Sequence, residues 1–140
     1  MVKTDILRGK KYEEVYWAVG IFAAALAIFY FLHFNAVEKF KSSVNKISIA
    51  SGRKFSVTFV SNKTTGYGWQ VAGPFDRNVL ELKTSAYIPS RANLAGADGN
   101  EVWTFKALRP GSCVIHFEYV RPWEKNTPPA ESKDITIVIR

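Results

Sequence analysis

The chain of 140 residues has one cysteine, Cys113. No internal disulfide can form, and a cysteine-ligated metal cluster is excluded. The net charge is +7, yet no run of five or more basic residues occurs, so there is no tract suited to nucleic acid, and no nucleic-acid partner is expected. The charge is divided: residues 42–140 hold 13 Lys/Arg against 8 Asp/Glu, and residues 1–41 hold 6 against 4. Internal repeats and low-complexity tracts are absent. So is any grouping of nucleophile, base and orienting acid, and no cofactor or metal site is expected. A chain this short buries one modest core and draws its stability from packing.

Residues 15–34 are an apolar run, VYWAVGIFAAALAIFYFLHF, twenty residues without a formal charge at neutral His33. A helix of that length reaches roughly 30 Å, and the run is apolar on every face, with aromatic rings near both ends. This predicts an N-terminal transmembrane helix over 15–34. It is preceded by a cytoplasmic segment at 1–14 and followed by a polar tether at 35–43. Lys3, Arg8, Lys10 and Lys11 before the run, against Lys39, Lys41 and Lys46 after it, place the N-terminus inside. The expectation is a single-pass membrane protein with its C-terminal domain on the extracytoplasmic side. A cleaved signal peptide fits less well, because its apolar region is shorter and the nearest candidate cut, after Ala36, puts bulky Phe34 at −3.

From Val44 onward the period of the hydrophobic pattern is two. Phe55, Val57 and Phe59 form one inward row, Trp103, Phe105 and Ala107 a second, Cys113, Ile115, Phe117 and Tyr119 a third, and Ile135, Ile137 and Ile139 a fourth. Shorter candidates lie at 46–50, 67–71 and 79–83. Turn signals separate them at Ser51-Gly52, Gly73-Pro74, Arg109-Pro110-Gly111 and Thr127-Pro128-Pro129. About seven antiparallel strands without a helical pattern fit an all-β, immunoglobulin-like sandwich over 44–140. Three loops are richer than a connection needs: 62–68, 93–100 and 121–131.

The first of these loops reads Asn62-Lys63-Thr64-Thr65-Gly66-Tyr67-Gly68-Trp69. The second contains Gly96-Ala97-Asp98-Gly99 ahead of the aromatic strand at Trp103. The third begins Arg121-Pro122-Trp123-Glu124. In this order the three motifs resemble those of the chagasin family of cysteine-peptidase inhibitors: an Asn-Pro-Thr-Thr-Gly-Tyr-x-Trp loop, a glycine-rich loop before an aromatic strand, and an Arg-Pro-Trp loop. The resemblance covers roughly residues 44–140. It implies a reversible, non-covalent inhibitor of papain-like cysteine peptidases, monomeric and not an enzyme. Its three loops would wedge into the active-site cleft, the first entering and the others flanking. The peptidase-binding residues so implied are Asn62, Lys63, Thr64, Thr65, Gly66, Tyr67, Gly96, Ala97, Asp98, Gly99, Arg121, Pro122 and Trp123. Lys63 stands where the family usually has proline, and Asp98 where it has glycine. The first change removes a fixed φ that stiffens the loop, and the second raises the question of a left-handed backbone.

Residue chemistry agrees with this division of roles. Thr64, Thr65 and Gly66 are small enough for the backbone to reach deep into a narrow cleft. Tyr67 and Trp69 are expected to turn back and brace the loop, with Trp69 and Trp103 in the core. Trp123 after Pro122 is a rigid aromatic on a loop, the profile of an interface anchor, and Arg121 is available to an acidic or carbonyl group of the peptidase. Cys113 and His116 lie three apart on a strand, so their side chains diverge and cannot act as nucleophile and base. Asn62-Lys63-Thr64 matches a glycosylation acceptor, but a glycan there would obstruct the wedge. The alternative reading is a membrane-tethered adhesion or assembly module that keeps the sandwich and binds a non-peptidase partner.

Overall fold

The computed structural model describes residues 3–90 and 96–140, with side chains over 16–32, 36–90 and 96–140. The chain divides into two compact units, one ending at Ala36 and one running from Val37 to Arg140.

The first unit is a single helix, α1, over Lys3–Asn35. Alanine and leucine at its centre favour helix. Among the described residues, however, no helix is long and apolar enough to cross a membrane. The transmembrane helix expected over 15–34, the membrane as a partner, and the single-pass location with an extracytoplasmic domain are corrected accordingly. The physical reason lies in the make-up of the run. A span takes roughly 20 predominantly apolar residues to match the hydrocarbon core. Within the described part of the run, Ala18, Gly20, Ala23, Ala24, Ala25 and Ala27 each carry little apolar surface.

The second unit is a two-sheet sandwich of eight strands: β1 (Val37–Lys41), β2 (Lys46–Ile49), β3 (Lys54–Ser61), β4 (Gly68–Ala72), β5 (Leu80–Ile88), β6 (Gly99–Ala107), β7 (Gly111–Val120) and β8 (Glu131–Ile139). One sheet has the order β1-β3-β6-β5 and the other β2-β8-β7-β4. The alternating rows read from the sequence are the two inner faces. Phe55, Val57, Phe59, Phe105 and Ala107 from the first sheet meet Ile115, Phe117, Ile135 and Ile137 from the second, all essentially inaccessible. Aromatic packing ties the layers: Phe105 and Phe117 meet edge-on at 6.3 Å, and Phe59 lies 4.7 Å from Phe117.

Two features differ from expectation. Residues 35–43, read as a tether, contain β1, and not every pairing is antiparallel: β1 runs parallel to β3, and β2 parallel to β8. The β1 sequence, Val-Glu-Lys-Phe-Lys, carries three charges in five positions and half-buries only Glu38 and Phe40. It therefore lacks the apolar row by which the other strands are recognised. Phe40 still reaches the core, edge-on to Phe55 at 6.4 Å.

The outer face of the second sheet carries a titrating group. His116 hydrogen-bonds through Nδ1 to the Asp134 carboxylate on β8, and its Nε2 lies 3.4 Å from Oε1 of Glu118. The Asp134 hydrogen bond holds the imidazole above its ordinary pKa, with Glu118 adding to the effect. Burial and, to a lesser degree, Asp76 push the Cys113 thiol up on the opposite, inner side of β7, so this cysteine is a poor nucleophile at neutral pH.

Two measurements test this description. Phe117→Ala should lower unfolding stability by about 3–5 kcal/mol in denaturant titrations, because it removes a ring fully enclosed by both sheets. A nuclear magnetic resonance titration should place the His116 midpoint above about 6.5, and Asp134→Asn should bring it down. Because the folded pKa is the higher one, the contribution to stability is complete below the unfolded value. It fades as pH rises through the folded one.

Candidate functional site

The first loop, between β3 and β4, is built on a 3-10 turn over Lys63–Thr65. Asn62 caps it. Its side-chain oxygen accepts from the backbone N–H of Thr64 at 3.1 Å, and its carbonyl accepts from the N–H of Thr65 at 3.2 Å and from the Thr65 hydroxyl at 2.6 Å. Such local side-chain to backbone bonds are the reason asparagine and threonine favour turns over ladders. Gly66 closes the turn at φ +81°, a left-handed backbone that suits glycine. None of the turn residues is buried, so the core alone does not hold the tip.

What holds it is a set of contacts from the other two loops and from below. The Asn62 amide donates to the Gly96 carbonyl of the second loop at 2.8 Å. Nε of Arg121, at the start of the third loop, donates to the Thr65 carbonyl at 3.1 Å. The Trp123 indole lies against Gly66 so closely that a Cβ there would come within 2.7 Å of its Cζ2. The structure thus brings the described parts of all three loops together at one end of the sandwich. Residues 91–95, and with them Asn93 to Ala95 of the second loop, lie outside the described residues.

Beneath the tip the rings form a column. Tyr67 stacks on Tyr119 at 5.2 Å, Tyr119 lies 5.2 Å from Trp69, and Trp69 stacks on core Phe59 at 4.4 Å. Two of its polar ends are used on backbone: the Tyr119 hydroxyl accepts from the Asn62 N–H at 3.1 Å, and the Trp69 indole N–H donates to the Val60 carbonyl at 3.0 Å. The Arg121 guanidinium caps the column, 4.4 Å from the Tyr67 ring centre, and its Nη1 pairs with Glu124 at 2.9 Å.

The thirteen residues expected from the sequence divide by placement. Thr64, Thr65, Gly96, Asp98, Pro122 and Trp123 face solvent, Trp123 with 65% of its surface exposed. Asn62, Gly66, Tyr67 and Ala97 are half-buried. Gly99 is a buried member of β6 opposite Ser61, and a Cβ there would lie 2.7 Å from the Ile88 carbonyl. Three expectations change. Arg121 uses two of its donors inside the protein, on Thr65 and Glu124. Asp98 is not in a left-handed conformation; in this loop that falls to Gly96, at φ +80°. The Lys63 ammonium is bound by Glu101 at 2.8 Å, so the loop is not simply looser for want of proline.

Glu101 and Tyr119 were not singled out by motif. Glu101 had a signal: it falls on the inward parity of β6 with Trp103 and Phe105, where a carboxylate is out of place unless it has a partner.

A sequence model described as the chagasin family of peptidase inhibitors, I42, matches residues 48–137. The chain belongs to the chagasin family. Among curated relatives, it is 32% identical over 80 residues to amoebiasin-2 of Entamoeba histolytica. That match covers 57% of this chain and 65% of amoebiasin-2, so the chain spans just under two thirds of that relative's length. Among solved structures, it is similar to the cysteine protease inhibitor EhICP2 from Entamoeba histolytica, with a TM-score of 0.64 at 22% identity, over 74% of this chain and 96% of that one. It is also similar to amebosin, with a TM-score of 0.62 at 22% identity, over 76% and 100% of the two chains. A third likeness, at 17% identity and a TM-score of 0.56, is to PbICP-C in complex with falcipain-2, over 76% and 91%. These likenesses establish the chagasin-type sandwich. Chagasin-family proteins are inhibitors and not enzymes, in line with the sequence reading.

A substitution at the crossing of two loops tests the packing. Gly66→Ala should displace the Trp123 indole, seen as a shift of its indole N–H resonance, and should cost about 1 kcal/mol or more of stability, since alanine is strained at this φ.

Proposed function

We propose that this chain is a reversible, non-covalent inhibitor of papain-type cysteine peptidases, with the turn at Thr64–Gly66 entering the active-site cleft. The second and third loops flank it. The carrying observation is the braced convergence of three loops on one solvent-facing tip of small residues, with Trp123 exposed beside it. Family membership and the names of EhICP2, a cysteine protease inhibitor, and PbICP-C, in complex with falcipain-2, support the same reading.

The geometry suits inhibition. A substrate lies extended in a protease cleft, whereas Lys63–Thr65 is a closed 3-10 turn whose peptide bonds are held away from that shape. A tip fixed before binding gives up little conformational entropy on association. An edge of three loops is able to bury on the order of 1,600 Å², the usual size for protease–inhibitor pairs. The peptidase-facing set is Thr64, Thr65, Gly66, Gly96, Ala97, Asp98, Pro122 and Trp123. Asn62, Tyr67, Gly99 and Arg121 act by holding that set in place. The inhibitor acts as a monomer. Nothing at Lys63 or Asp98 favours the alternative of an assembly module: the lysine has a partner inside the domain, and the aspartate keeps an ordinary backbone.

The full chain should inhibit papain and cathepsin L reversibly, without being cleaved. A folded protein inactive against several such enzymes overturns the proposal. Trp123→Ala should raise the inhibition constant about 30-fold, equivalent to roughly 2 kcal/mol, with the melting temperature unchanged. A drop in melting temperature instead assigns the indole a structural role.

A further inference from the structure

We propose that Lys63 and Glu101 form a strut that sets the shape of the first loop, which makes Lys63 a positioning residue and not a peptidase contact. The inhibitory consequence rests on the wedge reading above; the strut itself does not.

Glu101 sits on β6 between Phe59 of β3 and Tyr87 of β5, with 6% of its surface exposed. A carboxylate so placed is costly unless paired and hydrogen-bonded. One oxygen, Oε1, meets both needs: it lies 2.8 Å from Nζ of Lys63 and accepts the backbone N–H of Trp69 at 3.1 Å. Lys63 opens the exposed turn, and Trp69 lies just beyond the loop on β4. A single buried atom therefore pins both ends of the segment that carries the tip.

The lysine side chain is directed under the loop. A Cβ on Gly68 would fall 2.7 Å from Nζ, so the glycine leaves the passage through which the ammonium reaches Glu101. The same Nζ lies 5.7 Å from the Tyr87 ring centre, a second favourable contact for a cation. At the other end of the turn, Arg121 holds the Thr65 carbonyl. The turn is thus held by a cation at each flank, one pairing with a carboxylate below it and one reaching across from the third loop. Loss of the lysine charge leaves Glu101 buried without a counter-charge and frees the start of the turn.

The test compares Lys63→Met, Lys63→Arg, Glu101→Gln and the Lys63→Met/Glu101→Gln double variant in the full chain. Two readouts are taken: backbone 15N relaxation at Thr64–Tyr67 in the free protein, and the inhibition constant against papain. Lys63→Met and Glu101→Gln should each mobilise the turn and weaken inhibition about tenfold, and the double variant should be no worse than either single. Lys63→Arg, which keeps the charge and the reach, should restore both readouts toward those of the original protein. A turn as rigid in Lys63→Met as in the original overturns the strut. So does a double variant whose losses simply add. Equal loss of inhibition in Lys63→Met and Lys63→Arg with an ordered turn makes Lys63 a direct contact instead. If Lys63→Met does not fold, Glu101→Gln and the double variant, which bury no charge, decide by the same readouts. If the original chain does not inhibit, the wedge reading fails, and relaxation alone decides the strut.

Discussion

A continuous column of aromatic rings, from Phe59 through Trp69 and Tyr119 to Tyr67, links the sandwich core to the edge where the three loops meet. Its lower members belong to the packed interior, where a displacement of one ring disturbs several neighbours at once. Its upper members touch the loops. The stiffness of the core is thereby carried outward to a segment with no buried residue of its own. The Tyr119 hydroxyl and the Trp69 indole N–H are each used on backbone, so the column orients the chain as well as supporting it.

Electrostatics then fixes what stacking leaves free. Rings tolerate rotation and sliding, but Arg121 and Lys63 engage atoms at defined positions, a carbonyl at 3.1 Å and a carboxylate oxygen at 2.8 Å. Both cations carry long, flexible side chains whose ordering has an entropic cost. The cost falls in the free protein, ahead of any encounter. Rigidity of this kind is a property of the whole edge: Asn62, with its amide on Gly96 and its side-chain oxygen on Thr64, serves two loops at once.

Much of this was legible in the sequence, and the limits have physical causes. Four strands announced themselves because each buries one face, which writes a period of two into the chain. β1 did not, because at the sheet edge only Phe40 needs an apolar side chain. The parallel pairings were not legible, since a side-chain pattern records which face is buried and not which neighbour runs alongside. The loop motifs pointed to three loops that the structure brings together in their described parts, but not to which side chains turn inward. Arg121 reads as available to a peptidase, and Lys63 as a lost proline, until Thr65 and Glu101, both distant in sequence, are seen beside them. The apolar run at 15–34 misled because freedom from charge is not the same as apolar surface, and small residues supply little of it.

Residues 37–49 pass from one sheet to the other: β1 lies along β3, and β2 lies along β8. This first stretch of the second unit therefore closes one edge of each layer. Begin the domain at Val44, where the strand periodicity starts, and β3 loses its neighbour along Lys54–Thr58 while Phe55 loses the ring packed edge-on to it. The exposed backbone of β3 would then be an open template for a strand from another copy. Seven residues ahead of the obvious pattern, three of them charged, thus cover a strand edge that would otherwise be open to pairing.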